Sequence, residues 1–182
     1  MNLIAITKPY VEDNEVAFIR RVFESGFDIL HLRKPANSKD MACHVLAELR
    51  ELLKKLTPDE RKKIVIHDYP ELFYEFALKG IHINRNVTKY PEGYQGFKTR
   101  SCHSLEEVKL YKDDFDYVFL SPIFDSISKK GYKSAFTEEE LKIASQDGII
   151  DEKVVALGGI TFDKISFLKE LGFGGAAMMG AI

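Results

Sequence analysis

Cysteine is scarce in this chain. Two residues, Cys43 and Cys102, are too few for a disulfide framework and predict unpaired thiols in a reduced, cytoplasmic setting. An excess of one charge is missing as well. The 26 basic and 28 acidic side chains leave a net charge of −2, so neither nucleic acid nor an anionic membrane is an expected partner. No apolar run reaches the ~20 residues of a membrane span, and Leu3–Ile6 is too short for a signal peptide. No linker or low-complexity tract divides the 182 residues, which read as one domain, 1–182. No Gly-x-Gly-x-x-Gly follows the first apolar run, which weighs against a dinucleotide fold. No spacing of histidine, cysteine and carboxylate matches a structural zinc site.

What is present is an alternation of short apolar runs and amphipathic stretches, the pattern of βα units around a parallel sheet. Eight strands are predicted: Leu3–Ile6, Asp28–Arg33, Lys63–His67, Gly80–Ile83, Phe97–Cys102, Tyr117–Ser121, Val154–Leu157 and Gly175–Met179. Val16, Ile19, Val22 and Phe23 share one helical face, closed by Gly26. Leu46, Leu49, Leu52, Leu53 and Leu56 form a second face after Ser38. Leu72, Phe73 and Phe76 mark a third helix, ended by Gly80, and Ile165, Leu168 and Leu171 mark the last. Ser104–Glu107 and Thr137–Glu140 match the capping box, whereas Asp59–Lys63 reads as a solvated loop or helix start. Eight such units predict a (β/α)8 TIM barrel. The eighth helix is absent from the sequence, which stops at Ile182, so apolar surface is expected on the outer faces of the first and eighth strands.

The strand exits carry chemically capable residues. His31 and Arg33 share a parity, as do His82 and Asn84, and Ser101 and His103. The third strand ends at His67-Asp68. The sixth runs into Ser126, Ser128, Lys129 and Lys130. An inward Arg33 needs an anionic partner. His82 reads either as a ligand or as a bonded core histidine, and Asp68 as a metal or substrate contact or as a helix cap. Gly158-Gly159 and the glycines of the eighth strand allow backbone amides to approach a phosphate, or simply make tight turns; Thr161 offers an N-cap to the helix that follows.

In order along the chain come His-Leu-Arg-Lys, His67-Asp68, Gly-Ile-His-Ile, Ser-Pro-Ile-Phe-Asp-Ser-Ile-Ser-Lys-Lys-Gly and Ala-Leu-Gly-Gly-Ile-Thr. Together they resemble the thiamine-phosphate synthase superfamily, including its TenI-like thiazole tautomerase branch. The resemblance implies that a hydroxymethylpyrimidine pyrophosphate is condensed with a thiazole phosphate, releasing pyrophosphate. It implies Arg33 and Lys129 on the pyrophosphate, Mg²⁺ on Asp68 and Ser101 on the pyrimidine. The thiazole phosphate would lie against Ser126, Ile127, Ser128, Gly158, Gly159, Met179 and Gly180. The partners would then be phosphorylated small molecules, with a homodimer compatible.

The chain departs from the synthase pattern at several positions. His31 stands for a glutamine, Pro35 for a lysine and His67 for an asparagine. Asn86-Val87 occupy the region of a second metal carboxylate, and Met179-Gly180 replace Val-Ser. These changes weaken the Mg²⁺-pyrophosphate set and favour metal-independent proton transfer by His31 and His67, the chemistry of the tautomerase branch. Pro122, however, occupies the position of that branch's catalytic histidine. A barrel that only binds thiazole or thiamine phosphate is a third reading.

Overall fold

In the computed structural model, which describes residues 1–84, 88–125 and 134–179, eight parallel strands close into a barrel in sequence order. They are β1 (Asn2–Ile6), β2 (Ile29–Leu32), β3 (Ile64–His67), β4 (Gly80–Ile83), β5 (Phe97–Cys102), β6 (Tyr117–Leu120), β7 (Val154–Leu157) and β8 (Gly175–Met179). The (β/α)8 expectation holds, with boundaries within a residue. The ring closes where Ile4 of β1 lies opposite Ala177 of β8.

Period-2 alternation divides each strand between two cores. Ile4, Ile6, Ile29, Val65, Tyr117, Phe119, Val155 and Ala177 fill the lumen. Residues of the other parity, among them Leu30, Leu32, Ile64, Ile66, Ile81, Val118 and Leu120, pack outward under the helices. Those helices are α1 (Glu15–Glu24), α2 (Lys39–Lys54), α3 (Pro58–Arg61), α4 (Glu71–Phe76), α5 (Leu105–Tyr111), α6 (Glu138–Gln146) and α7 (Ile165–Glu170). The stripe on α1 buries Ile19 and Val22, and that on α2 buries Val45, Leu49, Leu52 and Leu53.

The starts and stops differ from expectation in three places, at Ser104, Gly80 and Thr161. α3 lies in the stretch read as a solvated loop or helix start. It is too short for a hydrophobic period to show, but Thr57 and Glu60 close a complete capping box around it. The box at Thr137 also forms, whereas at Ser104 only half does, because Glu107 accepts from the His103 amide instead. α4 ends on Ala77, in the left-handed region at φ 50°, and not on Gly80. Gly80 begins β4, where a Cβ would lie 2.2 Å from the Phe97 carbonyl oxygen; the glycine is required by strand pairing. Thr161 makes no cap bond and leads into a 3₁₀ turn at Phe162–Lys164.

Among the described residues the expected apolar exposure at the β1–β8 seam is not found. The outward side chains there are short, and Ala5 and Ala176 are fully buried, as is Met178. All three belong to the outer core with Ile19, Val22 and Leu168. Small residues let the flanking layer close over this part of the wall. Among the described residues no helix is long and apolar enough to cross a membrane.

Candidate active site

The C-terminal rim of a barrel is where its loops leave room for ligand, and here it holds a cavity of about 760 Å³. One half of the wall is apolar: Ile6, Phe119, Leu157 and Met179, from β1, β6, β7 and β8. The other half is polar, with Arg33, His67, His82, Asn84, Ser101 and His103 carried by or just beyond β2 to β5. Arg100, Thr88 and Glu107 extend it sideways.

Arg33 stands one residue past β2, and its backbone is clamped on both sides. Its amide donates to Thr7 Oγ1 at 3.0 Å, and Thr7 Oγ1 donates to its carbonyl at 3.2 Å. The next residue, Lys34, shares the motif but turns away. It is wholly buried, with Nζ 2.7 Å from Glu15 Oε1 and donating to the carbonyls of Lys8 and Tyr10. Its amine is spent on tying the β1–α1 segment to the end of β2. Arg33 is therefore the β2 cation that faces the cavity.

Behind Arg33 lie three buried imidazoles. His31 Nδ1 is 2.8 Å from His67 Nε2, and His31 Nε2 is bonded to the Tyr117 hydroxyl deep in the lumen. His82 bonds Thr99 Oγ1 at 2.8 Å and Ser101 Oγ at 2.9 Å. Its ring stacks on that of His67, centroids 4.2 Å apart and 16° from parallel. Among the described residues His67 Nδ1 has no hydrogen-bond partner. Tyr117 bonds only His31 among the described residues, so its hydroxyl proton has one acceptor, His31 Nε2. His31 then carries its proton on Nδ1 and donates to His67 Nε2, which leaves His67 protonated on Nδ1. His67 Nδ1 is unpartnered in either polarity, as N–H or as lone pair, but the reverse would also orphan the Tyr117 proton, at a cost of about 1–3 kcal/mol.

Burial holds all three rings neutral. His82 is pushed down to about 3, with Arg33 and Arg100 adding to the effect. Burial also drives His31 and His67 well below the ordinary range, His82 adding to both. Unfolded imidazoles take up protons below about pH 6.5, whereas these do not, so the unfolded chain binds more protons and stability is lost as the pH is lowered. From pH 7 to pH 6 the three groups together should remove about 2 kcal/mol of stability. Urea midpoints at the two pH values measure this; a midpoint that stays or rises would mean that the folded barrel protonates its histidines.

One nitrogen from each imidazole lies within 4.8 Å of the other two. The near-parallel His67 and His82 rings do not aim at one point, and two arginines line the same cavity. The trio is built as a hydrogen-bonded floor and not as a metal cage.

Asp68 follows β3 at φ 65°, a left-handed conformation that Asp tolerates. It is not on the cavity wall, but Asn84, which is, donates to its Oδ1 at 3.2 Å. A single half-buried carboxylate suits Mg²⁺, which usually takes one or two carboxylates together with substrate phosphates.

Of the residues singled out by sequence, Arg33, His67, His82, Asn84, Ser101, His103 and Met179 share the cavity wall. His31 does not reach it; the residue is fully buried with both ring nitrogens occupied, so it supports His67 and cannot meet substrate. Gly158 and Gly159 follow wall residue Leu157 but are not on the wall, and both adopt positive φ. A Cβ on Gly158 would lie 2.9 Å from Pro122 Cα, and one on Gly159 would lie 2.3 Å from the Asp125 carbonyl oxygen. The close approach they permit is to the chain leaving β6. Ser126, Ile127, Ser128, Lys129 and Gly180 lie outside the described residues, as does Asn86-Val87. Thr7 and Tyr117 were not singled out. Thr7 follows β1 with the outward parity of Ala5, so alternation gave no signal for its bonds to Arg33, and the pairing of Tyr117 with His31 is long-range.

Known proteins resemble this chain in sequence and fold. The family model described as thiamine monophosphate synthase matches residues 3–182. The thiamine-phosphate synthase of Limosilactobacillus reuteri is 26% identical, the match covering 94% of this chain and 83% of the relative. The crystal structure of a thiamine phosphate pyrophosphorylase from Bacteroides thetaiotaomicron is 41% identical. It superposes with a TM-score of 0.86, covering 100% of this chain and 84% of that one. A Pyrococcus furiosus thiamine phosphate pyrophosphorylase, 20% identical with a TM-score of 0.71, shares the fold. With a match across nearly its whole length, the chain belongs to the thiamine monophosphate synthase family.

Proposed function

We propose that this barrel joins a hydroxymethylpyrimidine pyrophosphate to a thiazole phosphate, giving thiamine phosphate and pyrophosphate. The observation that carries this reading is the divided cavity, with Arg33 on a doubly fixed backbone beside an apolar wall. An anionic leaving group belongs at Arg33, and a flat heteroaromatic ring fits between the Phe119–Leu157 side and the imidazole side.

In the dissociative route, the bond from the pyrimidine methylene carbon to pyrophosphate oxygen breaks, and the thiazole nitrogen forms the new C–N bond. Arg33 binds the departing oxygens and stabilises charge that grows as the bond lengthens. Ser101, held by His82, orients the pyrimidine. Asp68, steadied by Asn84, would hold Mg²⁺, which supplies charge neutralisation on the pyrophosphate. Ser126, Ser128, Lys129 and Gly180 complete the phosphate contacts that the resemblance assigns to them. The apolar half of the wall limits water, which would otherwise capture the pyrimidine cation.

The test is an assay with both substrates, with Mg²⁺ and with excess chelator. Thiamine phosphate should form only with the metal. Asp68→Asn should raise the Mg²⁺ concentration for half-maximal rate by roughly tenfold or more, as expected for a lost charge-assisted contact. Equal rates in chelator would overturn the metal assignment. Isomerisation of a thiazole carboxylate phosphate, without condensation, would point to the tautomerase chemistry instead.

A further inference from the structure

Thr99, His82 and Ser101 form a hydrogen-bonded run whose outer end lies on the cavity wall. His82 and Thr99 are partners across the β4–β5 ladder, and Ser101 stands one inward position nearer the rim. His82 bonds both hydroxyls, Nδ1 to Thr99 Oγ1 at 2.8 Å and Nε2 to Ser101 Oγ at 2.9 Å. Burial keeps the ring neutral, so one imidazole proton serves two bonds. The buried end sets the direction. Thr99 is 0% exposed, and among the described residues its hydroxyl bonds only His82. The Thr99 proton therefore has a single acceptor, the lone pair on His82 Nδ1. His82 then carries its proton on Nε2 and donates it to Ser101 Oγ. The opposite direction would seal the Thr99 proton away without a partner. Ser101 is placed differently. It is half-buried on the cavity wall, and its hydroxyl is the tip of a short side chain. A hydroxyl that accepts from His82 keeps its own proton to give, and it turns about one bond to meet an acceptor in the cavity.

We propose that Thr99, acting through His82, is a positioning residue that makes the Ser101 hydroxyl a hydrogen-bond donor toward the cavity, where it selects a ring with an acceptor atom facing β5. That the ligand carries a heteroaromatic ring rests on the function proposed above; the direction of the two bonds does not. Alone, a serine hydroxyl gives or accepts with equal ease. Here one lone pair is taken by the His82 N–H, and the proton is left for the ligand. A ring nitrogen satisfies that proton. A group that only donates leaves it without a partner once water has gone, and the wrong ring is penalised by that loss. Arg33 remains the group for the charged end, while Ser101 reads the ring. A threonine that no substrate can reach thereby sets the sense of a contact at the rim.

The experiment uses the full chain labelled with ¹⁵N-histidine, with long-range ¹H–¹⁵N correlation to identify which ring nitrogen carries the proton. His82 should be protonated on Nε2. Thr99→Val keeps the side-chain shape, removes the hydroxyl and should release His82 into a mixture of tautomers. In the synthase assay Ser101→Ala should raise KM for the pyrimidine pyrophosphate by roughly fivefold, as for one neutral hydrogen bond, with the KM for thiazole phosphate unchanged. Thr99→Val should raise the same KM by roughly two- to fivefold with kcat unchanged, and should add nothing in the Ser101→Ala background. A wild-type His82 protonated on Nδ1 would overturn the proposal, and that measurement stands even where a variant fails to fold. A folded Thr99→Val variant with His82 still wholly on Nε2 would overturn the role of Thr99. So would a further KM increase from Thr99→Val in the Ser101→Ala background, because the effect would then bypass the serine hydroxyl. Absence of turnover in the wild type, with His82 protonated on Nε2, would remove the synthase reading and leave the directed run of bonds in place.

Discussion

Arg33→Ala should lower kcat/KM for the condensation by about 10²–10³-fold while leaving the barrel's melting temperature nearly unchanged. The reasoning separates side chain from backbone. The fold uses the Arg33 amide and carbonyl, both bonded to Thr7, and alanine keeps them. The guanidinium faces the cavity and is only partly buried. Its planar fork can take two phosphate oxygens at once, and removing a preorganised charge from a leaving-group site costs about 3–4 kcal/mol of transition-state stabilisation. Arg33→Lys should recover part of the rate, because charge returns without the fork. Steady-state kinetics beside a thermal melt decides the matter. Activity within about threefold of wild type, a change of under 1 kcal/mol, would remove Arg33 from the pyrophosphate role.

Lys34→Ala should act in the opposite sense, on stability first. Lys34 and Glu15 are buried together, 0% and 2% exposed, and the lysine also caps the carbonyls of Lys8 and Tyr10. Removing it strands a carboxylate and two carbonyls away from water. Breaking one side of such a pair costs about 3–5 kcal/mol, or a fall of roughly 6–20 °C in Tm for a chain of this length. Burial lowers the Lys34 amine's pKa, against the raising pull of Glu15, so the ion pair carries a desolvation cost of its own. Replacing both partners by apolar residues of similar size, Lys34→Met with Glu15→Leu, should therefore recover much of the loss. Urea denaturation of the three proteins measures this. A single variant that loses less than about 1 kcal/mol would show that the latch contributes little.

These outcomes turn on contacts of unequal visibility in the sequence. Strand parity alone put His31, Arg33, His82 and Ser101 on the inner face, because a period of two survives in any parallel strand. Position within that face was harder. His31 and Arg33 are two residues apart, yet one is sealed beneath the other, and the seal is Tyr117, 86 residues downstream. Lys34 stands beside Arg33 in the His-Leu-Arg-Lys run, and only the placement of Glu15 on α1 shows where its amine goes. Gly80, Gly158 and Gly159 were legible as special positions but not as to what approaches them. The glycine code records that backbone comes close, and not whether the neighbour is a phosphate or another strand.

The aromatic and aliphatic packing of the lumen has a kinetic meaning. Ile4, Ile29, Val65, Tyr117 and Val155 plug the barrel beneath the histidines, so the reaction chamber is a cup with one mouth. A substrate seated at the bottom would have to enter before one seated above it, so the order of loading would follow from depth alone.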